Sequence, residues 1–287
     1  MSSTSKIYQW GSDASRLYPK NRDVKLDTAA GKDVFGASFS SMMSKQLYGE
    51  FAKVLSSPRL FYAWTTPATT EVDLSGSGNT GTYQAFTTAD QVAVGSCWTM
   101  LGDGSTKYVS IADSDTLSFG DGTNDSPFSV GGWVNLTDSA NKQIILAKWN
   151  QTATTREWTL NYENTERLRL YLYDEDANKT TIRAASGATT VGWRFVVATY
   201  SGLGGASAGD GAVLYVDGAA ITSTATNDAN YVSMVNTNSP VYVGAREESG
   251  MAGFFASNMG CVFVEGSELT AAEIKQLYLS TRGFYKL

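Results

Sequence analysis

The chain has 287 residues, 42% of them apolar and 17% charged, with a net charge of −6 and a pI near 4.8. An acidic chain without clustered Lys and Arg is a poor match for phosphate backbones, so nucleic acid is not expected as a partner. No apolar run approaches the ~20 residues that span a bilayer, so no membrane span is expected either. Histidine is absent, which removes Ser-His-Asp and Cys-His nucleophiles, HExxH zinc sites and any metal site that needs imidazole.

Along the chain, the first 57 residues differ in texture from the rest. Up to Phe39 the sequence is polar and Gly-containing, with scattered Tyr, Trp and Phe and no sustained periodicity. The opening "MSSTSKIYQWGSDASRLYPKN" lacks the apolar stretch of a secretory signal, so assembly in a host cytoplasm is expected. From Ser41, "SMMSKQLYGEFAKVL" spaces Met43, Leu47, Phe51 and Val54 or Leu55 by three and four, the period of an amphipathic helix. Such a helix either packs on its own domain or docks on a neighbouring subunit. We take residues 1–57 as an attachment segment and 58–287 as the domain it carries, with Met43, Leu47, Phe51 and Leu55 as the docking stripe.

After Pro58 come short alternating runs separated by Gly, Asn, Asp and Ser. Strands are predicted over 107–111, 128–135, 143–149, 157–162, 167–173, 179–184, 193–201, 213–216 and 240–244, with two more in 253–264. Many short strands with turn signals between them make an antiparallel sandwich or barrel. Asp217-Gly218 is a two-residue hairpin signal, and the Gly-rich stretch 201–211 is predicted to be a mobile loop. Thr270 with Glu273 three residues on forms a capping box that opens one short helix. Cys97 and Cys261 lie in strand-like segments, where two buried thiols are expected and a disulfide is the alternative.

From about Leu60 the order of motifs resembles the laminin-G-like members of the concanavalin A-like lectin and glucanase superfamily. The matching pieces are "DLSGSGNTGTY", "LGDGSTKYVSIADSDTLSF", "FSVGGWVNL", "ILAKW", "WTLNYENTERLRLYLYD", "WRFVVATYSG", "LYVDG", "VYVGAR", "GFFASNMGCVFV" and "ELTAAEIKQLY". The resemblance covers about residues 60–287 and implies an all-β jelly roll: two antiparallel sheets with a short C-terminal helix. It also implies a repertoire of glycan recognition, protein adhesion and, in some branches, polysaccharide cleavage, among which the fold does not choose.

The enzyme branch is tested by its residues. Laminarinase-like relatives carry Glu-x-Asp-x-x-Glu, with the acids placed for a retaining mechanism. Here "EVDLSG" offers Glu71 and Asp73 but has Gly76 where the second glutamate belongs, and Glu157, Glu163 and Glu166 lack the spacing. No catalytic residue is therefore assigned. For calcium, which relatives hold at the sandwich rim with six to eight oxygen ligands, the candidates are Asp174, Asp176 and Asn178; no cofactor is required. Asp113, Asp115, Asp121 and Asp125 form further acidic turns.

"RLRLYLYDED" remains. Leu168, Leu170 and Leu172 share one face of a strand, and Arg169, Tyr171 and Tyr173 share the other. Aromatic rings that stack on a sugar, flanked by groups that bond its hydroxyls, are the make-up of a glycan site. Asn161, Tyr215 and Tyr242 have the same parity and are expected to join these residues on one sheet face. Trp133 and Trp193 match packing positions, and Trp149 is expected at the rim. The expectation is a non-enzymatic recognition or structural protein: a phage capsid decoration or fibre, attached to other subunits through residues 1–57 and presenting a glycan-binding jelly roll on the virion surface. A polysaccharide-degrading enzyme and a protein-adhesion module without a glycan site are the alternatives.

Overall fold

The computed structural model describes residues 34–65, 69–137 and 141–285, with only the backbone of 34–41. The expectations for residues 1–33 lie outside the described residues. Ser38–Leu287 form one compact unit.

Among the described residues, helix α1 (Val34–Phe51) leads into nineteen strands. They are β1 (Pro58–Tyr62), β2 (Thr70–Glu71), β3 (Gly81–Gln84), β4 (Gln91–Val94), β5 (Cys97–Leu101) and β6 (Tyr108–Ile111). The central run is β7 (Phe128–Leu136), β8 (Gln143–Asn150), β9 (Thr155–Tyr162), β10 (Leu168–Asp174), β11 (Lys179–Ala185), β12 (Gly192–Tyr200) and β13 (Ala212–Val216). The remainder is β14 (Ala219–Ala220), β15 (Ser223–Thr226), β16 (Val241–Val243), β17 (Arg246–Glu247), β18 (Met251–Ala252) and β19 (Asn258–Glu265), before helix α2 (Ala271–Thr281).

Two sheets result. The first has the order β14-β13-β12-β7-β19-β5-β4, with β1 also on β19; the second has the order β15-β11-β10-β9-β8-β16-β6-β3-β2, with the β17–β18 hairpin against β8. The pairings between neighbouring strands of both sheets are antiparallel apart from the β17–β8 contact, as the jelly-roll expectation requires. Strand spans follow the alternation closely from residue 107 onward. Of the five strands between Pro58 and Leu101, only β5 falls in a segment expected to be strand-like, around Cys97; β2, β3 and β4 are four residues or fewer and carry no clear period.

The interior between the sheets is filled by alternate residues of facing strands. Leu168, Leu170 and Leu172 lie there with Val130, Val196 and Leu214, all essentially inaccessible. Removing that much apolar surface from water is the main stabilising term of the fold.

A second apolar layer covers the outside of the first sheet. Leu47, Phe51 and Leu55 pack on Phe61, Phe195 and Phe263, while Ile274 and Leu277 of α2 close the same layer. Trp133 belongs here as well, its indole N–H donating to Thr281 Oγ1 at 2.9 Å, and Trp193 stacks against Tyr285 with ring centroids 4.8 Å apart. This corrects the docking-stripe expectation. Leu47, Phe51 and Leu55 are spent inside their own domain, with Met43 half-buried against the same layer. These helix residues pack with the sandwich, in the compact unit Ser38–Leu287.

Several local expectations are met by mechanism. Asp217 and Gly218 both have positive φ, 51° and 79°, as a two-residue hairpin turn between β13 and β14 demands. Thr270 Oγ1 accepts from the Glu273 N–H, and the Glu273 carboxylate accepts from the Thr270 N–H, closing the capping box. Cys97 and Cys261 are buried and free. The Gly-rich stretch, by contrast, is built into the structure. Gly205–Gly211 forms a 3-10 segment in which Ala208 is buried and the Gly209 N–H donates to Asn227 Oδ1 at 2.8 Å. Small residues there allow close approach to Thr181 and Asn227, which a Cβ on Gly209 would obstruct. Among the described residues no helix is long and apolar enough to cross a membrane.

Candidate functional site

The helices cover the outside of the first sheet, so the outside of the second is the broad sheet face left to other chemistry. Pairing aligns its side chains in rows. Tyr171 of β10 stands opposite Thr159 of β9 and Ile182 of β11, and Arg169 stands opposite Asn161 and Ala184. On the far side of β8, Tyr242 of β16 stands opposite Ala147 and Ser110. Strand alternation therefore brings Arg169, Tyr171, Tyr173, Asn161 and Tyr242 to one face, as expected.

Tyr215 does not join them. It lies on β13 of the first sheet, packed in the helix-covered layer, because parity fixes the face of a strand but not the sheet to which the strand belongs. Asn161 is on the expected face yet fully buried, and Tyr173 and Tyr242 each retain 8% of their surface.

Residues not assigned to this face beforehand complete the site. Strand β8 is irregular, with register shifts at both ends of its pairing with β9. As a result Ile144, Ala147 and Trp149 cluster with Tyr173 on the outer face, separate from the interior core. Trp149, expected at the rim, is 95% buried instead, at 5% exposure. Its cover is Arg246 of β17, whose guanidinium carbon lies 4.7 Å from the Trp149 ring centroid and 6.0 Å from that of Tyr171. Cation–π attraction of this kind is worth about 0.5–2 kcal/mol. Arg156 does the same to Tyr173 at 3.9 Å.

Each arginine of the face is paired with a carboxylate, and one of these carboxylates is shared with a lysine. Tyr171 donates its hydroxyl proton to Glu163 Oε1 at 2.8 Å and accepts from Arg169 Nη1 at 3.0 Å, while Asn161 Nδ2 also donates to Glu163 at 3.1 Å. Arg156 grips Glu175 through Nε and Nη2, and this bond holds the guanidinium above its usual pKa. Arg246 gives Nε and Nη2 to Glu248 Oε1, which Lys142 also meets at 2.8 Å. Burial alone would raise the Glu248 carboxyl, yet those two cations lower it. Burial raises the Tyr171 and Tyr173 hydroxyls, which therefore stay protonated donors.

Four polar atoms of this face have no partner among the described residues: Trp149 Nε1, Asn161 Oδ1, Arg169 Nε and Arg246 Nη1. Buried polar groups are nearly always satisfied, so three orphan donors and one orphan acceptor on one face form an unusual concentration. The face offers aromatic rings, directed hydrogen-bond groups and matched charge. Signals for Trp149 and Arg246 were hidden in the sequence by the β8 irregularities and by the two-residue length of β17.

The calcium candidates do not fit a cation. Asp174 accepts from the backbone N–H groups of Ala177 and Val232, both at 2.9 Å. Asn178 Oδ1 accepts from the Tyr173 hydroxyl and, at 3.3 Å, from Arg156. Asp176 and Asn178 are exposed, whereas Asp174 is buried. Oxygens already occupied by donors, with a guanidinium alongside, are the wrong environment for Ca²⁺. Glu71 and Asp73 are likewise structural, taking Tyr83 and the Phe61 N–H respectively.

Comparison with solved structures finds the same sandwich in binding domains of clostridial-type toxins. The binding domain of Paraclostridial Mosquitocidal Protein 1 matches with a TM-score of 0.55 at 14% identity, covering 78% of this chain and 52% of that one. The Botulinum neurotoxin serotype D ligand binding domain, solved in complex with N-acetylneuraminic acid, matches with 0.55 at 16% identity, covering 80% and 52%. The serotype G binding domain gives 0.55 at 15% identity, covering 78% and 51%. The chain thus spans about half the length of the structures it resembles, and at such identity the likeness establishes fold alone. Comparison with curated protein sequences gave no match. A laminin-G-type family model, described as concanavalin A-like lectin/glucanases superfamily, matches residues 103–275, and on that match over most of the domain the chain belongs to this superfamily.

Proposed function

We propose that the chain is a non-enzymatic recognition protein that binds glycans on the outer face of its second sheet. The observation that carries this reading is the convergence there of Trp149, Tyr171 and Tyr173 with three arginines and Asn161, on the sheet face that the helices leave open. Rings give a sugar its stacking surface and the polar side chains beside them give its hydroxyls partners. The toxin binding domains of the same fold, one of them solved with a sugar, support a binding role for such a sandwich.

We further propose that the domain is displayed on a larger assembly, a phage capsid decoration or fibre on the virion surface. Attachment would then rest on residues before Ser38, because Leu47, Phe51 and Leu55 are buried within the domain. Support for this part is the layout: an unmatched N-terminal segment in front of a single binding-type domain.

A glycan array tests the binding role. Wild-type protein is expected to retain a defined group of glycans, and Tyr171→Ala with an unchanged circular dichroism spectrum is expected to lose them. No retention of any glycan, or retention unaffected by Tyr171→Ala, would overturn it.

A further inference from the structure

Away from the candidate site, the described residues hold one lysine whose side chain is wholly inaccessible, Lys148 of β8. The other ion-paired lysines among them all keep part of the side chain in water. Taking an ammonium out of water is costly, and a well-packed apolar side chain of similar volume usually serves stability as well. Stability alone therefore does not account for Lys148.

Two acids meet its nitrogen. Nζ donates to Asp113 Oδ1 and, at 2.8 Å, to the Ser239 carbonyl, while Glu157 Oε1 lies 3.5 Å away. Lys148 and Glu157 belong to the paired strands β8 and β9, whereas Asp113 lies in the turn after β6. Val241 of β16 pairs with both Lys148 and Ile111, so β16 runs between the strand of the lysine and that of the aspartate. The Lys148–Asp113 contact thus reaches across a whole strand.

Glu157 is inaccessible too, and burial pushes its carboxyl up to about 7, so much of it is protonated near neutral pH. The Thr237 N–H and hydroxyl and the Ser118 hydroxyl all donate to Oε1, which leaves Oε2 to carry the proton. An amine touching a carboxyl, out of bulk water, has the proximity that condensation requires. A neighbouring acid that titrates near the working pH supplies the proton transfers.

We propose that Lys148 and Asp113 condense within the folded chain to an amide between Nζ and Cγ, with Glu157 as proton carrier and one water released. The ammonium first gives a proton to the carboxylate it touches, leaving a neutral amine and a carboxylic acid. Nζ attacks Cγ and a C–N bond forms. The C–O bond to the hydroxyl breaks as Glu157 protonates it, water departs, and Glu157 regains a proton from the nitrogen. No oxidant or co-reactant enters. Asp113 keeps 33% of its side chain accessible, which gives the water a way out. The amide retains one N–H for the Ser239 carbonyl. Loss of the ammonium removes the cation that lowers Glu157, so that carboxyl stays raised in the product. The linkage does not depend on what the outer face of the sheet binds.

The test is intact-mass spectrometry of the denatured full chain, followed by tryptic mapping. Wild type is expected to weigh one water, about 18 Da, less than its sequence. It should also give a fragment in which 108–142 is joined to 143–156, uncut after Lys148. Asp113→Ala, a change at a partly exposed turn, should restore the full mass and the cut at Lys148. In Glu157→Gln the joined fraction should fall at least several-fold, with circular dichroism confirming the fold. Full sequence mass in wild type, with trypsin cutting after Lys148, would overturn the proposal whether or not either variant folds. A lost water without the joined fragment would overturn it as well, since the dehydration would then lie elsewhere. A folded Glu157→Gln protein that joins as fast as wild type would overturn the part given to Glu157.

Discussion

The Phe51 ring of α1 lies 4.8 Å from the Phe61 ring of β1, at 57°, and 5.3 Å from Phe263 of β19. One helical residue thereby seals strands from opposite ends of the chain. The amphipathic period of residues 41–55 was legible in sequence, but its partner was not, since a period marks an apolar face without naming what covers it.

A truncation series follows from that contact. Removing residues 1–37 is expected to leave a soluble folded domain, whereas removing 1–57 exposes Phe61, Phe195 and Phe263 and yields an unstable or aggregated product. Within the intact chain, Phe51→Ala should cost about 3–5 kcal/mol, the range for deleting a buried aromatic ring. Urea unfolding with matched m-values checks it.

Glu157 gives the protein a pH-dependent stability that its composition makes easy to see. The carboxyl is buried against Lys148, 3.5 Å away, which is also bonded to Asp113. One ammonium thus serves two acids, and burial pushes Glu157 up to about 7 despite Lys148, Thr237 and Ser118. An acid whose folded pKa lies above its unfolded value stabilises most below the unfolded value, and that stability fades as pH rises through the folded one. Unfolding free energy should therefore fall between about pH 4.5 and 7, by at most ~3 kcal/mol for a shift of this size. Histidine is absent, and burial also raises the Asp125 carboxyl, which contributes in the same direction. Glu157→Gln should flatten the slope; an equal slope in the variant would assign it elsewhere.

Calcium should have no effect on stability. Melting temperature is expected to be the same with 5 mM-scale CaCl₂ or EDTA, roughly within 1 °C, since the described residues hold no cluster of acids able to bind a metal ion. Asp174→Ala, in contrast, should cost about 1–3 kcal/mol, because the Ala177 and Val232 N–H groups lose their acceptor. Calcium-dependent melting would contradict the assignment of Asp174 to loop bonding.

The two cysteines should resist thiol reagents in the native state. Both are fully buried, and burial raises the Cys97 thiol beyond its usual range and Cys261 to about 12, so thiolate is scarce. Labelling should appear only on unfolding, with both thiols reacting together.

Much of the fold was readable because alternation in 107–264 is strong and the turns carry their own chemistry, Asp217-Gly218 above all. The site was half readable. Parity correctly set Arg169, Tyr171 and Tyr173 against Leu168, Leu170 and Leu172, but could not reveal that Tyr215 belongs to the other sheet. Nor could it find Trp149 and Arg246. The first is turned outward through an irregular register in β8, and the second reaches it from about a hundred residues away in sequence by a two-residue strand. The stretch 201–211 misled because glycine there serves close packing on Thr181 and Asn227, which composition alone cannot distinguish from looseness.

The most direct test of the binding face is amide chemical-shift mapping of the intact chain during titration with a glycan retained on the array. Perturbations confined to residues 143–150, 155–163, 168–174 and 244–256 are expected, with the Trp149 indole N–H shifting most among the tryptophans. Perturbations centred on the first sheet or on its helices, with the Trp149 indole unmoved, would contradict the account.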